Sequence, residues 1–262
     1  GTYGCRAKEL HSYLKSISPS ILILNGDIID CWQLSRHYFP SAHMNVIREI
    51  LNMITTGTRV FYVTGNHDEM LRRYSDVELG NFSLIDKLVL EINNKTTWIF
   101  HGDVFDNTSK GGAKRLAKLG SNGYAVLILF NRFLNRVLRL FGRERISLSK
   151  KVMESVNKAV TKINDFEMTA AEIAISKKYD YVICGHIHQP QNRIIANEKG
   201  SVTYLNSGDW IEHMTSLEYY DSEWHIHRQS EIQKSEIIKK EKVEDINVVT
   251  DEVSYYLNLL TG

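Results

Sequence analysis

The sequence lacks any uncharged apolar run of 18 residues and contains three cysteines, and both features argue against whole classes of protein. A helix that crosses a bilayer needs about 20 consecutive apolar residues, so no membrane-spanning helix is predicted. Three cysteines are an odd number and none is in a CxxC pair, which argues against a disulfide framework and indicates a reducing compartment. We expect Cys184, which follows the apolar residues 181–183, to be a buried strand thiol.

Composition and charge indicate a globular protein with one unusual segment. The chain has 262 residues, of which 43% are hydrophobic and 24% charged, enough for one large α/β domain or one domain with an insertion. Residues 110–151 contain eleven Lys or Arg and one acid, a net charge of +10, although the whole chain carries +1. Such an asymmetry suggests an anionic partner, such as a membrane surface, a nucleotide or a nucleic acid.

Short apolar runs alternate with amphipathic stretches, which predicts an α/β fold of the layered α-β-β-α kind. The predicted strands are 21–24, 60–63, 88–92, 97–100, 181–184, 194–196, 202–205, 217–220 and 224–227, and helices are predicted near 10–17 and 44–54. Residues 1–106 and 178–228 are predicted to form the core. Residues 107–177 show only helical pattern and are interpreted as a helical insertion or cap. Residues 229–262 are predicted to be a charged C-terminal tail, solvated or in a peripheral helix.

Five polar clusters each follow an apolar strand. They are Asn25-Gly26-Asp27-Ile28-Ile29-Asp30, Gly65-Asn66-His67-Asp68, His101-Gly102-Asp103, Gly185-His186-Ile187-His188 and Asn206-Ser207-Gly208-Asp209. Carboxylate, amide and imidazole groups suit Mn, Fe, Zn or Mg, and glycine beside each ligand lets loops crowd together. A lone Gly-Asp is usually a turn, and a lone strand-end histidine is more often a satisfied polar residue. The order of the clusters is far more specific than any one of them.

In that order, over residues 21–210, the motifs resemble the calcineurin-like metallophosphoesterase family. The resemblance implies an α-β-β-α sandwich around two divalent metal ions, with manganese expected first and iron, zinc or magnesium as alternatives. It makes Asp27 the ligand that bridges both metals. Asn66, His101 and His186 would complete one metal site, and His188 would join the other.

The same resemblance gives catalytic roles to the GNHD cluster. His67 would approach the scissile phosphate as general acid or charge stabiliser, Asp68 would orient it, and Asn66 would contact both metal and phosphate. For Asp30, a capping or outer-sphere role is favoured over direct ligation. A water activated by the two metals would attack phosphorus. No covalent nucleophile is then required, and none of its usual signatures, such as GxSxG, is present.

One part of the family pattern is not found in this sequence. The family begins with a strand that ends in Asp-x-His, and these two side chains ligate the metal that His188 shares. We expect residues that precede Gly1 in the natural protein to supply them. As given, one metal site is complete and the other is short of two ligands.

The predicted insertion is the best guide to the substrate. Residues 124–141 are mostly apolar, and Arg132, Arg136, Arg139 and Arg143 recur at helical spacing, which fits an interfacial helix on anionic lipid. A helical cap with solvated arginines is the alternative. The motifs and the basic insertion together resemble the UDP-2,3-diacylglucosamine pyrophosphatases of lipid A synthesis. That resemblance implies cleavage to UMP and 2,3-diacylglucosamine 1-phosphate by a cytoplasmic enzyme, peripheral on the inner membrane face, that touches anionic membrane through residues 124–145.

Two other functions stay open. The best-known members of that enzyme group carry Arg in the place of His67, whereas His is the general phosphoesterase pattern, so a phosphodiesterase or phosphatase with a soluble substrate is an alternative. A non-catalytic scaffold of the same fold is the second alternative. Nucleic-acid binding is not expected, since arginines set in an apolar helix lack interleaved polar surface.

Overall fold

The computed structural model describes residues 2, 4–33, 39–105, 165–229 and 246–248. The segment 124–145, with its predicted membrane contact, and most of the predicted insertion and tail lie outside the described residues. The chain divides into two compact units, Gly1–Val104 with Ala170–Gly262, and Phe105–Thr169.

The described elements alternate along the chain as an α/β protein does. The helices are α1 (Ala7–Ser16), α2 (Ser41–Thr55) and α3 (165–176). The strands are β1 (Ile21–Asn25), β2 (Arg59–Val63), β3 (Val77–Leu79), β4 (Phe82–Ile85), β5 (Lys87–Ile92), β6 (Lys95–Phe100), β7 (Tyr181–Cys184), β8 (Gln191–Asn197), β9 (Gly200–Asn206), β10 (Thr215–Tyr220), β11 (Glu223–Arg228) and β12 (Ile246–Val248). Short 3-10 helices occupy Glu69–Tyr74 and Asp103–Phe105.

Two sheets and one hairpin contain all the described strands. In the first sheet the order is β1-β2-β4-β3, with β1, β2 and β4 parallel. In the second sheet the order is β12-β5-β6-β7-β9-β8, with β6, β7 and β9 parallel. Strands β10 and β11 form an antiparallel hairpin, and Asp221 and Ser222 at its turn have φ of 51° and 63°, as a two-residue hairpin turn requires. The predicted strands 217–220 and 224–227 are therefore confirmed.

The faces of β2 show how the layers are arranged. Phe61 points into a core cluster that includes Leu90 and Ile99 of the second sheet, so this cluster lies between the two sheets. Its neighbour Val60 points to the opposite face, where it packs with Leu14 of α1 and other residues of both α1 and α2. The predicted α/β sandwich is thus confirmed, with helices on the outer face of the first sheet.

Helix α1 follows the predicted apolar pattern. Leu10, Tyr13, Leu14 and Ile17 recur at i, i+3, i+4 and i+7, and all four belong to the cluster between the helices and the first sheet. The helix predicted near 10–17 is therefore confirmed, and these four residues form its buried face.

Two regions differ from the sequence prediction. The pattern does not predict β3 and β4, because each is short and the Gly80-Asn81 turn interrupts the apolar run. Part of the predicted tail, Ile246–Val248, is a strand that pairs with β5 at the edge of the second sheet. Two of these three residues are β-branched, which favours an edge strand over a solvated coil.

The structure also bears on membranes and thiols. Within the described ranges, no helix has the length and apolarity that a membrane crossing needs.

All three cysteines are free, and Cys184 on β7 is fully buried, as predicted.

Candidate metal centre

Four loops that follow the carboxyl ends of β1, β2, β6 and β7 carry the candidate ligands. Parallel strands direct these ends to the same edge of a sheet, which is where α/β proteins bind ligands. Asp27, His101 and His186 have ligand atoms that all lie within 4.8 Å of one another. Three residues far apart in sequence are therefore brought to one point.

Asn66 joins this group through its amide oxygen. Its Oδ1 lies 3.3 Å from His101 Nε2 and 3.1 Å from His186 Nδ1. Asp27 Oδ2 lies 3.2 Å from the same His101 Nε2. The cluster thus contains one carboxylate, one amide and two imidazoles, a donor set suited to divalent Mn, Fe or Zn.

The backbone is strained at three of the predicted metal ligands. Asp27, His186 and His188 have φ of 56°, 53° and 56°, in the left-handed region that non-glycine residues rarely adopt. Each such residue costs about 1–3 kcal/mol, and residues of this kind cluster at functional sites. The strain therefore marks the same loops that the motifs mark.

Two glycines let the loops approach each other. A Cβ on Gly26 would lie 2.1 Å from His101 Nδ1, and a Cβ on Gly65 would lie 2.4 Å from Asp27 Oδ1. Both distances are shorter than any real contact, so a larger residue would displace a ligand. This supports the interpretation that glycine allows the loops to crowd.

The hydrogen bonds of His101 leave a place for a cation. Its Nδ1 donates to the backbone carbonyl of Asn25 at 3.0 Å, so Nδ1 carries a proton. In the neutral ring, Nε2 then presents a lone pair toward the Asp27 carboxylate and the Asn66 amide oxygen, which are acceptors too. Three acceptors directed at one point repel one another unless a cation or a proton lies between them.

The pKa values show how strongly this point attracts positive charge. Burial opposes protonation of His101, but the charge and hydrogen bond of Asp27 outweigh it and raise the pKa of His101 to about 8. Burial also disfavours ionisation of Asp27, yet His101 and His67 hold the pKa of that carboxyl well below its usual range. The residues present therefore fit a divalent cation bound through His101 Nε2.

His67 lies beside this cluster and is held by Asp30. Its Nδ1 lies 3.1 Å from Asp30 Oδ1, and its ring packs against the Trp32 indole, with centroids 4.2 Å apart and the planes tilted by 30°. Burial lowers the pKa of His67, but the hydrogen bond to Asp30 and the charge of Asp27 reverse this and raise it. Asp30 Oδ1 also accepts backbone N–H bonds from Trp32 and Gln33, so Asp30 caps the turn after β1, and its expected outer-sphere role stays a prediction.

The carboxylate that contacts His67 is that of Asp30, and the expected orienting role of Asp68 stays a prediction. Asp68 is fully buried and accepts hydrogen bonds from the Tyr62 hydroxyl at 2.6 Å and the Gly65 N–H at 2.6 Å. It also accepts from the Ile28 N–H at 2.9 Å. Neighbouring residues in a loop need not point the same way, and Asp68 ties the GNHD loop to the loop after β1.

His188 is not among the side chains that meet within 4.8 Å in the described part of the chain. Its Nδ1 lies 3.8 Å from Asp209 Oδ2. Burial disfavours the Asp209 carboxylate, but backbone N–H bonds from His213, Glu212 and Ile211 lower its pKa overall. The assignment of His188 to a second metal stays a prediction.

Asn206 and Asp209 are two residues whose roles the sequence analysis left open. The buried amide of Asn206 donates to the Gly185 carbonyl at 2.7 Å and accepts the Gly208 N–H at 2.9 Å. The N-x-G-D cluster therefore supports the loop that carries His186. The signal in the sequence is a polar cluster directly after the buried strand β9, but it does not say which loop is contacted.

The comparison with protein families agrees with this geometry. The profile described as calcineurin-like phosphoesterase matches residues 5–190. The chain belongs to the calcineurin-like phosphoesterase family. It is therefore a phosphoester hydrolase with the α/β sandwich of that family, and the family implies divalent metal ions at the site.

Curated relatives share one name. The UDP-2,3-diacylglucosamine hydrolase of Aliivibrio fischeri (strain MJ11) is 24% identical over 217 residues, which cover 82% of this chain and 87% of the relative. The protein of that name from Xanthomonas campestris pv. campestris (strain B100) is 25% identical over 201 residues, covering 74% and 79%.

Solved structures are similar at a lower level. A predicted phosphoesterase from Streptococcus pneumoniae TIGR4 has a TM-score of 0.35 and 13% identity, covering 86% of this chain and 84% of that one. A Vps29 double mutant from Entamoeba histolytica has a TM-score of 0.36 and 14% identity, covering 83% and 78%.

Proposed function

We propose that this calcineurin-like phosphoesterase hydrolyses UDP-2,3-diacylglucosamine to UMP and 2,3-diacylglucosamine 1-phosphate. The observation that carries hydrolysis is the meeting of Asp27, Asn66, His101 and His186 beside His67. The substrate is supported by relatives named UDP-2,3-diacylglucosamine hydrolase, at 24% and 25% identity.

The proposed metal ions are two, with manganese expected first and iron, zinc or magnesium as alternatives. Asp27 would be shared by both, and Asn66, His101 and His186 would complete the first site. His188 would join the second, for which the family pattern uses an Asp-x-His pair. When bound, the ions supply Lewis acidity and activate a water for attack on phosphorus.

The other steps belong to side chains of this chain. Hydrolysis forms one P–O bond to the water oxygen and breaks the P–O bond to the leaving phosphate. Asp30 binds Nδ1 of His67, so Nε2 is the ring nitrogen that is left to contact the substrate. Through Nε2, His67 would stabilise or protonate the oxygen on which negative charge grows. Asn66 directs its amide oxygen to the metal and can donate its amide hydrogens to the phosphate.

We also propose that the protein works in the cytoplasm, peripheral on the inner membrane face. A diacylated substrate is anchored in lipid, so its hydrolase must reach the membrane surface. Residues 124–145, outside the described part, combine a long apolar stretch with arginines and are the proposed contact with anionic lipid.

A phosphodiester in solution is the second candidate substrate. The observation that favours it is His67, held by Asp30, because His at this position follows the general phosphoesterase pattern rather than the Arg of the best-known diacylglucosamine pyrophosphatases. Such an enzyme would hydrolyse small phosphodiesters without detergent and would not bind vesicles.

The experiment follows UMP release from UDP-2,3-diacylglucosamine in detergent micelles, with Mn²⁺ and the full-length protein. We expect turnover that disappears with chelator and in His186→Ala, while the control His225→Ala, on β11 outside the site, keeps it. Hydrolysis of bis(p-nitrophenyl) phosphate without UMP release would favour the soluble substrate. Inactivity on both would instead favour a non-catalytic scaffold.

A further inference from the structure

A polar network centred on Arg72 lies beside the metal centre and takes no part in the reaction proposed above. Arg72 is in the 3-10 helix Glu69–Tyr74, which directly follows the GNHD cluster. Its Nη1 donates to Asp103 Oδ2 at 3.2 Å, and its Nη2 donates to Asp103 Oδ1 at 3.2 Å and Oδ2 at 3.1 Å. A bidentate pair of this kind fixes orientation as well as distance.

Asp103 is thus the first residue that anchors Arg72. The rest of the guanidinium binds a second anchor, Thr64, together with Asp86. Arg72 Nε donates to Thr64 Oγ1 at 3.2 Å and to Asp86 Oδ1 at 3.3 Å, and Nη2 reaches the Thr64 carbonyl at 3.4 Å. Thr64 Oγ1 itself donates to Asp86 Oδ1. All three guanidinium nitrogens are therefore used.

The two main anchors are buried and belong to different sheets. Thr64 is fully buried and follows β2 of the first sheet, whereas Asp103 is 5% exposed and follows β6 of the second. Among the described strands, the two sheets share no ladder. Arg72 thus joins the carboxyl ends of one strand from each sheet.

Both anchors lie two residues from a metal ligand. Thr64 is two residues before Asn66, and Asp103 is two residues after His101. The Asn66 Oδ1 and His101 Nε2 atoms must keep their separation of 3.3 Å for one cation to bind both, and sites tolerate errors of only about 0.5 Å. No ladder sets this separation, so it depends on contacts between the sheets, and the bonds of Arg72 join the two ligand loops directly.

We infer that Arg72 is a positioning residue, which locks the loop of Asn66 to the loop of His101 and so sets the spacing of metal ligands from the two sheets. The inference rests on the metal centre of the proposed function but on no particular substrate. A lysine cannot replace Arg72, because an ammonium lacks the planar fork that binds Asp103 and Thr64 together.

The test compares Arg72→Lys with Arg73→Gln by isothermal titration calorimetry with Mn²⁺ and no substrate, using full-length protein. We expect Arg72→Lys to weaken Mn²⁺ binding roughly 10- to 100-fold, as substitutions of residues that orient the metal ligands typically do. Arg73 is exposed, with its guanidinium 5.0 Å from the Tyr74 ring centroid, so Arg73→Gln keeps wild-type affinity.

Chemical rescue separates positioning from a general loss of stability. In Arg72→Ala, added methylguanidinium should restore part of the Mn²⁺ affinity, whereas urea at the same concentration should not. Wild-type affinity in Arg72→Lys, an equal loss in Arg73→Gln, or the absence of rescue would each overturn the inference.

A second variant covers the case in which Arg72→Lys does not fold. Asp103→Asn keeps the shape of the side chain and removes the charge that Arg72 binds, and we expect a similar loss of Mn²⁺ affinity. Unchanged affinity in this variant also overturns the inference. Because no substrate is present, failure here and failure of the UMP assay are separate results.

Discussion

The Asp30 carboxylate uses one oxygen atom for two purposes. Its Oδ1 holds His67 Nδ1 at 3.1 Å and also accepts the backbone N–H groups of Trp32 and Gln33. The turn after β1 and the His67 ring are therefore fixed to the same atom. Because Asp30 is 6% exposed, water competes little for this contact.

Asp30→Asn tests this arrangement. The amide still caps the turn but offers no charge to His67, so we expect kcat to fall roughly 10- to 100-fold with little change in Mn²⁺ affinity. The measurement is hydrolysis of bis(p-nitrophenyl) phosphate together with calorimetric Mn²⁺ binding. The control is Asp180→Asn, whose carboxylate bonds the Thr96 N–H away from the site. An unchanged kcat in Asp30→Asn would refute the role of Asp30.

Tyr62→Phe tests whether Asp68 is a structural carboxylate. The Tyr62 hydroxyl donates to buried Asp68 at 2.6 Å, and loss of a hydrogen bond to a buried charge costs about 1.5–3 kcal/mol. We expect that decrease in the free energy of unfolding, measured by urea denaturation. The exposed Tyr219 hydroxyl accepts a bond from Asn93 at 3.4 Å, so Tyr219→Phe should change stability by less than about 0.5 kcal/mol. Equal effects of the two substitutions would contradict the assignment.

The sequence predicts which residues belong to the site better than it predicts which residues they contact. Asp27, Asn66 and His101 are found from motif order, because each follows an apolar strand. The hydrogen-bond partner of His67 is not found in this way. Adjacency in the sequence suggests Asp68, but the contact is made by Asp30, 37 positions away. Arg72 has no signal either, because it stands in a polar stretch that looks like ordinary surface.

At the scale of elements, short loops after parallel strands bring the ligands together. The loops after β1 and β2 pack so closely that a Cβ on Gly65 would lie 2.5 Å from the backbone nitrogen of Asp27. Backbone atoms cannot move aside as a flexible side chain can. The spacing of these two loops therefore depends on glycine.

Gly65→Ala should displace Asp27 and weaken Mn²⁺ binding more than about tenfold, because ligands must be held to about 0.5 Å. The control Gly57→Ala introduces an unfavourable φ, with +105° at that position, but its Cβ meets nothing within 4 Å. It should lower stability and leave Mn²⁺ affinity unchanged. The measurement is calorimetric titration of both variants, and wild-type affinity in Gly65→Ala would contradict this account.

Elements with a continuous apolar run or a regular apolar face can be predicted from the sequence, whereas short strands at the edge of a sheet cannot. Strands β1, β2 and β7 are continuous apolar runs, and α1 has a regular apolar face. Strands β3 and β12 have three residues each, too few for a period to be recognised, and they form through pairing with β4 and β5.

At the scale of the whole molecule, a bound metal should link the two sheets and so stabilise the fold. Asp27 and Asn66 come from loops of the first sheet, and His101 and His186 from loops of the second. A ligand at 100 times its dissociation constant stabilises the native state by about 2.7 kcal/mol. We expect Mn²⁺ at 100 times its dissociation constant to raise the free energy of unfolding by about 2.7 kcal/mol, and EDTA to remove this increase. No gain with Mn²⁺ in urea denaturation would argue against the site.

The cluster around His101 is proposed as the metal centre of a phosphoester hydrolase. We would therefore measure bis(p-nitrophenyl) phosphate hydrolysis as a function of Mn²⁺ concentration in the full-length wild type and in His101→Ala. We expect a rate that saturates with Mn²⁺ and vanishes with EDTA. In His101→Ala, activity should be lost or should need more than about 100-fold more Mn²⁺, beyond the effect of outer-sphere changes. Metal-independent hydrolysis, or the same Mn²⁺ dependence in both proteins, would contradict it.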